Sequence, residues 1–118
     1  MAKTPENAVK KKIRQWLASF GDAVCYITPV PGPFGTTMGD PDFVISFCGL
    51  FVAIEAKARG KEATALQAAR LRELAKSGAL TFVVDRPDEQ LPVIERGLVY
   101  RARLYKRAVE NGAHDATC

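Results

Sequence analysis

The sequence has one histidine, His114, three cysteines, and no apolar run near the roughly 20 residues that a membrane-spanning helix needs. Its lone histidine lies in a polar tail, which argues against chemistry built on a histidine base or a histidine-rich metal cluster. Cys25, Cys48 and Cys118 are odd in number and lack C-x-x-C spacing, which argues against a disulfide framework and a structural zinc site. The first residues, Met1-Ala2-Lys3-Thr4-Pro5-Glu6, hold no apolar stretch of signal-peptide type, so a cytoplasmic location, in a bacterium or in the host of a phage, is expected. Repeats, low-complexity blocks and interdomain linkers are missing as well. What remains is one expected domain over residues 1–118, with 47% apolar residues to build its core.

Acidic residues are scarce at two places. Residues 1–20 hold five basic side chains and one acidic, and residues 96–107 hold five basic and none acidic. The stretch 21–94 reverses the balance, with seven basic and nine acidic groups. Basic ends around a mildly acidic middle suit a polyanionic partner, with the central carboxylates kept for another purpose. Two solvated helix faces would give the same pattern.

Thr4-Pro5-Glu6 is a helix start: a capping hydroxyl, proline at the first helical position, and an acid in the first turn. Val9, Ile13, Trp16, Leu17 and Phe20 recur at helical spacing, and Gly21 ends a predicted helix over about 5–20. Residues 23–27 read as a short strand. Residues 29–39, with three prolines and three glycines, read as a loop. Residues 42–47 and 50–57 read as a hairpin turning at Cys48-Gly49, both strands apolar enough to be covered on both faces. Thr64-Ala65-Leu66-Gln67 opens a second helix with a capping box, Gly78 ends it, and residues 80–84 form a further strand. Beyond Asp85, Pro92 and Gly97 are expected to interrupt any single long helix, although Leu98, Ala102, Tyr105 and Val109 keep a helical stripe. The predicted order is αβββαβα, an α/β fold with a mixed central sheet flanked by helices.

The informative residues are Asp42, Glu55 and Lys57. Counting outward from the two-residue turn, Phe47 faces Leu50, and Asp42 faces Glu55, each five positions further out. Cross-strand neighbours place their β-carbons about 4.5–5.5 Å apart, too close for two uncompensated carboxylates beside a buried sheet. All-oxygen ligation by carboxylates and a backbone carbonyl is the preference of Mg²⁺ or Mn²⁺. Lys57 is two residues from Glu55 and points to the same face, whereas Ala56 turns its methyl away and offers its carbonyl. A lysine there can activate a water or neutralise charge in a phosphoryl transition state, which points to phosphodiester hydrolysis. A plain ion pair between Lys57 and Asp42 or Glu55 is the competing reading.

Gly39-Asp40-Pro41-Asp42 followed by Ile54-Glu55-Ala56-Lys57 resembles the PD-(D/E)xK nuclease superfamily. With Glu6 in the first helix and Gln67 in the second, the chain more narrowly resembles the VRR-Nuc (virus-type replication-repair nuclease) domain. The resemblance runs from Glu6 to about Val84 and implies a restriction-endonuclease-like αβββαβ core. It implies Asp42, Glu55 and the Ala56 carbonyl as metal ligands and Lys57 as the catalytic lysine. Glu6 would help hold a water or second ion, and Gln67 would orient Lys57 or the water. Gln67 also serves the capping box, and Lys10, one turn after Glu6, either contacts phosphate or pairs with Glu6.

The loop that runs into Asp42 offers Thr36 and Thr37 as phosphate hydrogen-bond donors, with Phe34 and Met38 as wedges against distorted DNA. No helix or finger reads base sequence, so substrate choice by shape is expected. The resemblance implies branched DNA, four-way (Holliday) junctions included, and a homodimer that places two sites on one junction. A non-cleaving branched-DNA-binding module and a sequence-specific restriction or nicking endonuclease are the alternatives.

Overall fold

The protein is described by a computed structural model over residues 4–30 and 39–112. Helix α1 (Pro5–Ala18) is followed by a short 3₁₀ turn (Gly21–Ala23) and strand β1 (Val24–Ile27). Strands β2 (Phe43–Phe47) and β3 (Leu50–Ala56) come next, then helix α2 (Ala65–Lys76), strand β4 (Leu80–Val84) and helix α3 (Pro87–Glu110). The Thr4 side chain accepts the Asn7 N–H at 3.1 Å, and Gly21 at φ +56° redirects the chain after α1, as the sequence signals require.

The strands lie in the order β1-β2-β3-β4, with β1–β2 and β2–β3 antiparallel and β3–β4 parallel. Phe47 pairs with Leu50 and Phe43 with Ile54, the register that the turn count predicts. Cys48 (φ 49°) and Gly49 (φ 89°) both adopt left-handed backbone, the twist that matches a two-residue hairpin to its strands.

One face of the sheet carries the main core. Val9, Ile13 and Leu17 of α1 and Leu91 and Leu98 of α3 pack there against Phe43, Ile45, Phe47, Val52, Ile54, Ala56 and Val84. Helix α2 packs on β3 and β4 from the other side and buries Leu71. Double coverage therefore holds for β3 from Val52 onward but not for β2, contrary to the sequence expectation, and β1 is likewise open on one face. Ile27 is 62% exposed and Ser46 is also exposed. Helix α2, twelve residues long, lies over β3 and β4 and leaves the outer face of the β1–β2 pair uncovered by any described element.

Helix α3 is the second correction. It runs unbroken for 24 residues through both Pro92 and Gly97. An interior proline costs about 3 kcal/mol and glycine about 1 kcal/mol. Burial of Leu91 and Leu98, with Ile94 and Val99 packed beside them, offsets that cost at about 1.5–3 kcal/mol for a fully buried side chain. The helix start is held by Gln90, whose Oε1 accepts the N–H groups of Asp85 (2.9 Å) and Arg86 (2.7 Å). Two contacts tie α3 to α1: Lys12 Nζ to Asp88 at 2.7 Å and Trp16 Nε1 donating to Glu95 at 3.0 Å.

Candidate active site

Three chain segments converge at the C-terminal end of β3. The hairpin register, continued two steps past Phe43–Ile54, sets Asp42 opposite Glu55 and then Pro41 opposite Ala56. Phe47–Leu50 closes a two-residue turn as a hydrogen-bonded pair, and the alternation of the ladder puts position 56 in the same class. Ala56 N–H and C=O accordingly both face the β2 side. Pro41 has no N–H to give that carbonyl, so the ladder leaves the Ala56 oxygen available to a ligand. The Ala56 N–H donates instead to Asp42 Oδ2 at 2.8 Å, which fixes one carboxylate beside the other.

Glu55 is only 3% exposed, and its Oε2 has no hydrogen-bond partner. Burial, then the neighbouring Asp42, pushes its carboxyl up from 4.5 to about 9, and the positive charge of Lys57 only partly opposes them. At neutral pH this carboxyl keeps its proton unless a counter-charge stronger than that of Lys57 is brought to it.

Lys10 supplies a positive charge to the neighbouring carboxylate. Its Nζ lies 3.4 Å from Asp42 Oδ1 and 3.5 Å from Glu6 Oε2, so one ammonium bridges α1 and the hairpin. The sequence reading anticipated the Glu6 pairing but not the Asp42 one, because no local pattern relates position 10 to position 42. Lys57 is half-buried, and its N–H donates to Val84 O at 2.9 Å, continuing the β3–β4 ladder. Its ammonium makes no ion pair within 4.0 Å among the described residues, so the plain cross-strand salt bridge is not formed.

Gln67 stands at the third position of α2. Its Oε1 accepts the Thr64 N–H at 2.9 Å while its own N–H donates to the Thr64 hydroxyl at 3.2 Å, completing the capping box. Thr36 and Thr37 fall outside the described residues.

Two further carboxylates hold the frame, and sequence inspection did not single them out. Asp40 accepts from Arg70 Nε at 2.8 Å, and this pins the approach to Asp42 onto α2. Asp85 Oδ2 accepts the Gly60 N–H at 3.0 Å and ties the loop after Lys57 to the end of β4. That backbone hydrogen bond, helped by Arg86, holds the Asp85 carboxyl below its usual value. The G-x-P-D sequence carried part of this signal. Gly39 has φ +88°, and a β-carbon there would sit 2.9 Å from Leu66 Cγ and 3.0 Å from the Leu66 carbonyl oxygen.

Gly39→Ala should therefore lower stability by about 2 kcal/mol through backbone strain and displacement of α2. A urea titration measures it; a midpoint equal to that of the wild type would contradict the close approach.

The donors fit a hard divalent cation of the Mg²⁺ or Mn²⁺ kind: two adjacent carboxylates, a backbone carbonyl, and an orphaned buried oxygen. Among the described residues, no three His, Cys, Asp or Glu side chains already converge as a ready-made cage.

No family model matches the chain, and no curated protein matches it by sequence. A solved structure titled "VRR_NUC domain protein" shares its fold, with a TM-score of 0.55 and 24% identity, covering 81% of this chain and 89% of that one. The fold is thus the restriction-endonuclease-like VRR-Nuc arrangement that the motif resemblance implies. No helix among the described residues is long and apolar enough to cross a membrane.

Proposed function

We infer that this chain, which carries a VRR-Nuc fold, is a Mg²⁺- or Mn²⁺-dependent endonuclease that hydrolyses DNA phosphodiester bonds, with branched DNA such as four-way junctions as its preferred substrate. The observation that carries the reading is the Glu55 oxygen, buried and without a partner next to Asp42. A buried carboxyl oxygen without a partner costs stability, and a cation-binding role gives it a purpose.

Asp42, Glu55 and the Ala56 carbonyl would hold the cation. When bound, it would draw negative charge from the scissile phosphate and lower the cost of ionising a water. Lys57, on the same face as Glu55 and free of carboxylate pairing, presents its ammonium to the phosphoryl oxygens as charge builds on them. Glu6 orients a water at the edge of the site. Lys10, which pairs with Glu6 and Asp42, would be placed to contact a backbone phosphate. Gln67 contributes through the start of α2, which fixes the loop that follows Lys57. Two coordinated incisions on a symmetric junction call for two copies of the chain on one substrate.

The test is cleavage of a labelled four-way junction and a matched linear duplex in Mg²⁺, Mn²⁺ or EDTA. Junction cutting in either metal and none in EDTA is the expected result. Equal cutting of both substrates would keep the nuclease and remove the branch preference. Tight binding without cutting in any metal would replace the reading with that of a binding module.

A further inference from the structure

Helix α3 does more than cover the sheet. Leu91 and Leu98 are buried, and Ala102 and Val109 continue that side of the helix as half-buried residues. At 3.6 residues per turn, Arg96, Tyr100, Arg103 and Arg107 fall on the opposite side, spaced four, three and four residues apart. All four are exposed, Tyr100 by 64%. Arg101 and Lys106 flank the stripe and are exposed too. Among the described residues, none of these five cations has an acidic partner within 4.0 Å, although Lys10, Lys12, Arg70 and Arg86 all do. Residues 96–107 contain no acidic side chain at all.

The C-terminal part of the stripe is remote from the carboxylates. Tyr105 lies against Gly49 in the β2–β3 turn, whereas Glu55 stands at the opposite end of β3. Six strand steps at about 3.3 Å set Gly49 and Glu55 roughly 20 Å apart. Along its own axis the arginine row covers eleven steps of about 1.5 Å, roughly 16 Å. Duplex DNA carries one negative charge per about 1.7 Å, so a straight row of this length meets several phosphates at once.

We propose that the outward face of α3, through Arg96, Arg103 and Arg107 with Tyr100 between them, is a second DNA contact that grips the phosphate backbone of a duplex arm away from the reacting phosphate. The proposal rests on the nuclease reading for the identity of the polyanion. The stripe supplies affinity and leaves sequence unread, since phosphate contacts position a duplex without reporting its bases. It acts on substrate capture, and the chemical step belongs to the end of β3.

The experiment is fluorescence anisotropy of a labelled 30-base-pair duplex in EDTA, over a salt series, with the full chain. Arg103→Gln/Arg107→Gln is compared with Arg72→Gln/Lys76→Gln, a pair of exposed cations on α2 that removes the same charge. Glutamine keeps helix propensity near that of arginine, and circular dichroism verifies that both variants stay folded. The α3 pair should reduce the magnitude of the log K against log [salt] slope by about 1.8, from about 0.9 per lost phosphate contact, and weaken binding at 0.1 M salt at least ~10-fold. The α2 pair should leave the slope within ~0.5 of the wild type. With Mg²⁺ restored, the α3 variant should show a raised KM and an unchanged kcat on the junction.

An unaltered slope in the α3 variant overturns the proposal, and so does an equal loss in the α2 variant, which would mean diffuse charge. More than ~10-fold preference for single-stranded RNA over the duplex overturns duplex DNA as the occupant. Failure of the nuclease reading is a separate result: a stripe-dependent salt slope with no cutting in any metal keeps the DNA contact and discards the catalysis.

Discussion

Lys57→Ala should slow junction cleavage at least ~100-fold, with little change in the thermal midpoint. Removing one preorganised charge that faces a transition state costs about 2.7–4 kcal/mol, which is a 10²- to 10³-fold loss in rate. The structure strengthens this expectation, because Lys57 has no carboxylate within ion-pair distance among the described residues and is held by its backbone bond to Val84. Its ammonium is therefore not committed to fold stability. Single-turnover rates at saturating enzyme separate chemistry from binding. Wild-type rates in a folded variant would remove Lys57 from the mechanism, whereas loss of DNA binding at unchanged rate would make it a phosphate contact.

The second large effect concerns Glu55→Gln, which should abolish cleavage and yet stabilise the cation-free protein. The wild-type carboxyl is pushed up to about 9 in the folded chain, mainly by burial and then by Asp42, against 4.5 as its ordinary value. Between those two values the folded chain keeps a proton that the unfolded chain has released. Cation-free stability thus falls as pH rises from about 4.5 to about 9, by on the order of 1 kcal/mol per pH unit, and flattens above that range. Glutamine cannot ionise, so the variant loses this slope and should melt several degrees higher than the wild type at pH 7.5 in EDTA. Adding Mg²⁺ should raise the midpoint of the wild type and not that of the variant, because on the proposed reading the cation would bind only the folded carboxylate pair. Melting curves in EDTA from pH 5 to 9 check the slope. A slope that survives the substitution would place the titrating group elsewhere.

Both variants sit at one end of β3, and that placement bears on how the site was assembled. The pairing of Asp42 with Glu55 is a local matter. A two-residue turn at Cys48-Gly49 fixes the register, and the period of two along a strand then sets which residues face each other. Lys57 follows from Glu55 by the same parity. The helix caps at Thr4 and Thr64 also follow from short-range chemistry, since the hydroxyl and its N–H partner lie three residues apart. For these reasons the fold class, the hairpin and the carboxylate pair could be read from the chain alone.

Other features depend on residues far apart in sequence. Lys10 reaches Asp42 across 32 positions, and Asp40 reaches Arg70 across 30. Such pairs depend on how helices dock on the sheet, which no local periodicity encodes. The same holds for α3: local propensity argued for a break at Pro92 and Gly97, and core burial on the sheet outweighed it. Exposure of the β1–β2 outer face likewise depends on where the short helix α2 comes to rest.

By itself, then, the sequence determined the order of elements, the register of the β2–β3 hairpin and the identity of the paired carboxylates, because these follow from interactions between neighbours in the chain. Only the tertiary structure decided that one of those carboxylates is buried with an oxygen left unpartnered, that a lysine from α1 bridges to the other, and that the cations of α3 stand clear on its outward side. The physical reason is that burial and long-range pairing are properties of the packed whole, where the free energy of covering one surface can override the preferences of any single segment.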